Sequence, residues 1–197
     1  MAIVYFETGA RTKAIQGQLE SLVEYIVENK GPYDKIHLVS YSFGSVVALD
    51  TLFPQDGISV RRLEKIDSLV TIGCPFNMVE SYWEGYFKRR PKPPQIPATW
   101  LNVSSPFAAL GSDFKDTGGG KMACCSEGDG SLPEGIRPNE HRSYYVGKRD
   151  KASSLGFLAL RGLSAHGLYM GPRPEDNKDC FSVIMPELLG EDHPMMR

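Results

Sequence analysis

Apolar residues fall into two different rhythms along this chain. Ile15, Leu19, Leu22, Val23 and Ile26 recur at helical spacing, so residues 11–29 predict an amphipathic helix with one apolar face, ended by Gly31-Pro32. The apolar run at 36–39 predicts a parallel strand buried on both faces. Val46, Val47, Leu49 and Leu52 then continue on a helix that Pro54 stops. Shorter apolar runs at 3–6, 69–72 and 100–104 predict further strands. The strands at 3–6 and 36–40 would form a β-helix-β unit whose right-handed crossover makes them parallel. Residues 143–147 predict a short last strand, residues 155–163 fit strand or helix, and an apolar stretch at 180–189 closes the chain.

The intervening segments break this alternation. After Gly73-Cys74-Pro75, residues 76–97 carry Tyr82, Trp83, Tyr86 and Phe87, followed by the basic, proline-rich run 88–94. Such an excursion between core strands suits a lid or a substrate wall, and equally a helix that packs its aromatics on the core. The basic cluster reads as a solvated rim. Residues 105–142 contain Gly118-Gly119-Gly120 and little hydrophobic periodicity, so they read as the least regular part of the chain. Gly120-Lys121 does not complete a phosphate-binding loop. Position 115 is Lys where that loop requires glycine, and position 122 is Met where it requires Ser or Thr.

With 197 residues the chain fits a single domain, 1–197, with a substantial core. Charged residues make up 23% and the net charge is −2, which gives no field expected to attract nucleic acid or an anionic membrane. No run approaches the roughly 18 apolar residues of a transmembrane helix. The opening Met-Ala-Ile-Val-Tyr-Phe-Glu turns acidic too soon for a signal peptide, so a cytoplasmic location is expected. Cys74, Cys124, Cys125 and Cys180 match neither a Cys-x-x-Cys pair nor a zinc site. Reduced thiols are expected, and no metal.

Chemistry enters at residues 36–47, where an apolar strand passes through Ser40-Tyr41-Ser42-Phe43-Gly44 into a helix. The frame is that of a nucleophile elbow, a strained turn with a reactive serine at its apex. Small residues two before and two after that serine let strand and helix approach. Ser40 stands where glycine is usual but remains small. The competing reading is a plain turn whose serines cap the helix. A serine hydroxyl needs a base to take its proton and a third group to orient that base. Of the four histidines, His37 lies on the strand itself, His193 is near the end, and His141 falls in the irregular segment. His166, in Leu-Ser-Ala-His-Gly-Leu-Tyr after the main strands, is the candidate base.

The succession of strand, Ser42 elbow, strand ending Thr71-Ile72-Gly73-Cys74-Pro75, strand beginning Trp100-Leu101-Asn102-Val103, and late Ala165-His166-Gly167-Leu168-Tyr169 resembles the α/β-hydrolase family, in particular its lipase and esterase-like members. The resemblance spans roughly the whole chain. It implies a reduced α/β-hydrolase fold of about five mostly parallel strands flanked by helices, with a lid-like insertion around 76–98. It also implies an acid after the strand at 100–104. Related sequences place an aspartate some six residues past the Asn, whereas this chain has Ser105-Pro106-Phe107-Ala108-Ala109-Leu110. Asp113 is the first acid available and Asp116 the second. The oxyanion hole implied by the family would take one backbone donor from Phe43 and one from Gly9, in the early loop Glu7-Thr8-Gly9-Ala10. Family members carry several strands before a unit like that at 3–6, so the resemblance implies either a genuinely shortened N-terminus or a fragment that exposes a sheet edge and associates through it as a homo-oligomer.

Two functions follow as expectations. The first is a serine hydrolase that cleaves a small-molecule carboxylic ester or thioester through an acyl-enzyme on Ser42. His166 would be base then acid, Asp113 would orient it, and no cofactor would be needed. The second is a non-catalytic binding or interaction protein that keeps the hydrolase fold with an incomplete triad. It predicts His166 beyond hydrogen-bond reach of Ser42.

Overall fold

The computed structural model of the chain describes residues 5–6, 9–29, 31, 35–54, 63, 65–83, 86–87, 90, 97, 99–105, 108, 110–112, 114, 140–143, 166–172 and 177–189. In order, these hold helix α1 (Gly9–Asn29), strand β1 (Ile36–Tyr41), helix α2 (Phe43–Leu52), strand β2 (Ile66–Ile72) and helix α3 (Phe76–Tyr82). Strand β3 (Thr99–Ser104), strand β4 (Glu140–Ser143), a short 3-10 helix (Leu168–Met170) and helix α4 (Cys180–Leu189) follow.

The protein is mixed α/β, with the four strands in the order β1-β2-β3-β4 and each neighbouring pair parallel. Parallel strands need crossovers, and α2 and α3 lie in the connections from β1 to β2 and from β2 to β3. Side chains alternate across the sheet. Leu69 and Trp100 join a core with Val46, Leu49, Phe53, Phe76, Val79 and Phe87, while Val70, Ile72, Leu101 and Val103 join another with Tyr169, Cys180 and Ile184. Both faces of β2 and β3 are therefore covered, as a parallel sheet requires.

Several expectations change. Five strands were expected and four occur among the described residues; Tyr5 and Phe6, expected to end a first strand, have helical backbone. Tyr5 is drawn inward, where its hydroxyl donates to Asp50 Oδ2 at 2.8 Å. Strand β1 is only half-buried along most of its length, because β2 is its one partner among the described residues. Helix α1 is rotated from its sequence-predicted face. Gln16 and Val23 are buried and Leu19 and Val27 pack on the core, while Ile15 and Leu22 are exposed. Gln16 is drawn in because its Nε2 lies 3.3 Å from the buried Tyr5 hydroxyl.

The excursion after β2 packs Phe76, Val79 and Phe87 into the core and leaves Tyr82 exposed. Arg90, expected on a solvated rim, is instead buried. It donates to Asp50 Oδ1 at 2.5 Å and to the Phe53 carbonyl at 2.9 Å, and its guanidinium lies over the Tyr86 and Phe87 rings. The last strand among the described residues is Glu140–Ser143, which reaches the first residue of the strand expected at 143–147, and the expected apolar stretch at 180–189 is helix α4. Cys74 and Cys180 are buried, and neither is in a disulfide. Cys124, Cys125, His193 and residues 144–147 and 155–163 lie outside the described residues.

Candidate active site

Ser42 sits between β1 and α2 with φ 53° and ψ −129°, a left-handed conformation that a side-chain-bearing residue adopts only at a cost. Its N–H donates to the Ile72 carbonyl at 2.8 Å, so β2 pins the turn from the side. The turn can be sharp because Ser40, in the place where glycine is usual, is absorbed. Its hydroxyl donates to the Val70 carbonyl at 2.9 Å, with Ser45 Oγ 3.2 Å away. Gly44 contributes differently from what the motif suggests. A Cβ there would meet nothing within 4 Å among the described residues, so strand β1 and the turn do not themselves require glycine at that position.

The Ser42 side chain does not cap α2. Its Oγ lies 2.7 Å from His166 Nε2, a contact that joins residues 124 apart in sequence. His166 is 8% exposed, and burial lowers its pKa from the ordinary histidine value, so the neutral ring is favoured. For Nε2 to accept the serine proton, Nδ1 must carry the ring hydrogen. Nδ1 is buried and has no hydrogen-bond partner among the described residues.

Three neighbours confine the ring. Tyr41 lies nearly parallel to it at 5.4 Å and 20° between centroids and planes, and Tyr169 meets it edge-on at 5.9 Å and 86°. Gly73, at φ 56°, supplies the space: a Cβ there would stand 2.8 Å from Tyr169 Cε2 and 3.0 Å from His166 Cε1. Gly73 is thus a site residue that the motif alone does not reveal. Its only sequence signal is a glycine that ends an apolar strand.

The loop after β3 is held to the same end of the sheet by a buried polar chain. Trp100 Nε1 donates to Thr71 Oγ1 at 3.1 Å, Thr71 Oγ1 donates to Asn102 Oδ1 at 2.8 Å, and Asn102 Nδ2 donates to the Ser112 carbonyl at 2.8 Å. Ser112 N–H donates to the Cys74 carbonyl at 2.9 Å, and its hydroxyl accepts from Asn77 N–H at 2.7 Å. Trp100 and Asn102, which the sequence supplied only through family resemblance, thus tie down the chain immediately before Asp113. Asp113 and Asp116 themselves lie outside the described residues. Ala108, six residues after Asn102, is buried.

Of the other expected site residues, Phe43 is the first residue of α2, where a backbone N–H has no intrahelical acceptor and forms part of the positive end of the helix dipole. Gly9 is the exposed first residue of α1. Phe6, just upstream, has its ring 5.5 Å from that of Phe43, so the early segment leaves from beside the elbow. Phe6 also packs against Trp83 at 4.5 Å and Tyr86 at 5.0 Å, giving an aromatic surface next to Phe43. His37 pairs through Nδ1 with Ser68 Oγ at 2.7 Å on the sheet, and His141 lies in β4.

Among the described residues no three His, Cys, Asp or Glu side chains gather so as to hold a metal ion, and no helix is long and apolar enough to cross a membrane. Comparison with protein-family models, with curated proteins and with solved structures gave no match to this chain.

Proposed function

We propose that the chain is a serine hydrolase with a reduced α/β-hydrolase fold, cleaving a carboxylic ester or thioester through an acyl-enzyme on Ser42. The observation that carries this reading is the 2.7 Å contact between Ser42 Oγ and His166 Nε2, made by a serine held at positive φ. A capping serine would turn its oxygen to the helix. An incomplete, non-catalytic site was expected to leave His166 out of reach.

In the proposed reaction Ser42 Oγ attacks the acyl carbon while its proton passes to His166 Nε2. The tetrahedral oxyanion is met by the Phe43 N–H and a second donor at Gly9. Collapse breaks the bond to the alcohol or thiol, which leaves with the proton from His166. A water molecule, deprotonated by the same nitrogen, then releases the acid and restores Ser42. Asp113 is proposed as the acceptor for the Nδ1 hydrogen. Support comes from its preceding neighbour, since Ser112 is bonded to Cys74, which adjoins the glycine against which the His166 ring packs. The aromatic surface of Phe6, Trp83 and Tyr86 suits an apolar acyl group.

The test is labelling by a fluorophosphonate together with turnover of short p-nitrophenyl esters. Both are expected in the wild type and absent in Ser42→Ala. Equal labelling of the two proteins would overturn the proposal.

A further inference from the structure

A general base needs more than the right pKa; its reactive nitrogen must stay within a few tenths of an ångström of the proton it takes. In a serine triad that orienting role is ascribed to the acid. Here much of it is supplied elsewhere. Tyr41 donates its hydroxyl hydrogen to the main-chain carbonyl of His166 at 2.6 Å, and its ring stacks on the imidazole. The same tyrosine therefore grips both the backbone and the ring of the histidine. Tyr41 also precedes Ser42 in the chain, so the nucleophile and the residue that grips the base are one peptide unit apart. A shift of the elbow would carry both together.

The opposite sides of the ring are closed by parts that cannot easily give way. Tyr169 is fully buried, and its hydroxyl accepts the Ser105 N–H at 2.6 Å, which fixes the ring that meets His166 edge-on. Gly73 forms the remaining wall, and its own N–H is bonded to the Val103 carbonyl at 2.8 Å. Alternation along β1 explains why Tyr41 can do this. Its side chain emerges on the sheet face that carries Val39, Val70, Ile72 and Tyr169, the face onto which the chain bearing His166 folds.

We propose that Tyr41 is a positioning residue that holds His166 in register with Ser42, leaving an acid only to fix the tautomer and offset the imidazolium charge. The inference rests on the reading of Ser42 and His166 as nucleophile and base. Tyr41 packs in the core opposite the one that holds Phe6, Trp83 and Tyr86, the surface proposed for the acyl group, so its removal should slow the chemical step and leave substrate binding unchanged.

The experiment compares wild type, Tyr41→Phe, which keeps the ring and loses the hydroxyl, and Tyr41→Leu, which loses both. Each is measured for kcat and KM on p-nitrophenyl acetate, for its rate of labelling by a fluorophosphonate, and for thermal melting, with a crystal structure of each variant. From the usual worth of one hydrogen bond and one ring stack, kcat and labelling should fall about 5-fold in Tyr41→Phe and about 50-fold in Tyr41→Leu. KM should stay within about twofold in both. The Nε2 to Oγ contact should lengthen or split into two positions. Wild-type kcat and labelling rate in Tyr41→Leu, or in Tyr41→Phe should the leucine variant not fold, would overturn the proposal. A fall in rate that tracks melting, with the His166 contact unchanged in the crystal, would overturn it equally. If instead wild type and Ser42→Ala label alike, it is the hydrolase reading that fails. The positioning role is then decided by the crystal structures alone: retention of the 2.7 Å contact in Tyr41→Leu refutes it and loss supports it.

Discussion

Arg90 reaches the carboxylate of Asp50 at 2.5 Å in the interior, and the two side chains are almost wholly buried. Asp50 lies on the helix that follows Ser42, and its other oxygen accepts hydrogen bonds from Tyr5 at 2.8 Å and Tyr86 at 2.7 Å. One carboxylate thus joins the early segment, the elbow helix and the excursion after β2. Burial, reinforced by the Asp50 charge, pushes both phenol pKa values up, so the tyrosines stay neutral donors at any ordinary pH.

Removing one member of such a group leaves a buried charge without its partner, which costs about 3–5 kcal/mol. For a chain of this size that corresponds to a fall in melting temperature on the order of 10 °C. Asp50→Ala and Arg90→Ala should each show it in thermal melts. Tyr86→Phe, which removes one of the two neutral donors to Asp50, should cost about 1 kcal/mol. Melts of the two alanine variants within a degree or two of wild type would show that the cluster contributes little.

The acid limb of kcat/KM should lie below pH 6.5, the ordinary histidine value. Burial is the cause of the lowered His166 pKa, and among the described residues the groups that face the ring, Tyr41, Tyr169 and Ser42, are neutral, so any upward pull must come from the proposed Asp113 carboxylate and is expected to be smaller than the effect of burial. Since the base form is the neutral ring, activity should persist to lower pH than an exposed histidine would allow. The sign for stability is opposite. The unfolded chain takes up a proton on this residue first, so the destabilising contribution is absent above 6.5 and grows as the pH falls through the folded value. A limb at or above 6.5 in a pH profile with p-nitrophenyl acetate would contradict the prediction.

Gly73→Ala should be far more damaging than a one-methyl change suggests. The new Cβ would lie 2.8 Å from Tyr169 and 3.0 Å from His166, at a φ of 56° that disfavours any side chain. His166 must then move from Ser42, and kcat should fall by about 100-fold or more. Gly17→Ala in α1 is the control. Its Cβ meets nothing within 4 Å, and the substitution should stabilise the protein by about 0.5–1 kcal/mol. Esterase assays and melts of the two variants side by side provide the measurement.

Ser42 and His166 were legible in the sequence for separate reasons. The elbow is a local frame in which strand, turn and helix follow within a dozen residues, and few histidines compete to serve it. What joins them to the rest of the site was not legible. Tyr41 and Gly73 act on His166 across more than ninety residues, through a carbonyl and a missing Cβ, and neither contact leaves a local pattern, whereas Tyr169 stands only three residues from His166 in the late segment that the family resemblance picks out. Arg90 was misread because a Lys-Arg-Arg run looks uniformly solvated. Only the position of Asp50, forty residues earlier, tells that Arg90 turns inward. The rotation of α1 has the same origin. Gln16 breaks the apolar pattern, and its partner Tyr5 was expected on a strand.

The remaining prediction concerns the third member of the site. His166 Nδ1 is buried, and as a donor without an acceptor it would cost about 1–3 kcal/mol. That penalty is relieved if a carboxylate is brought to it, and the buried chain from Trp100 through Asn102 to Ser112 fixes the backbone just before Asp113. Asp113→Asn should therefore lower kcat by about 1,000-fold or more with little change in KM, while Asp116→Asn should leave both near wild type. The acid limb should also move further down in Asp113→Asn, because an ionised carboxylate against the ring raises a histidine pKa and its removal lowers it. The reverse ranking of the two variants would assign the role to Asp116. Full activity in both would mean that His166 works through its aromatic clamp without either carboxylate.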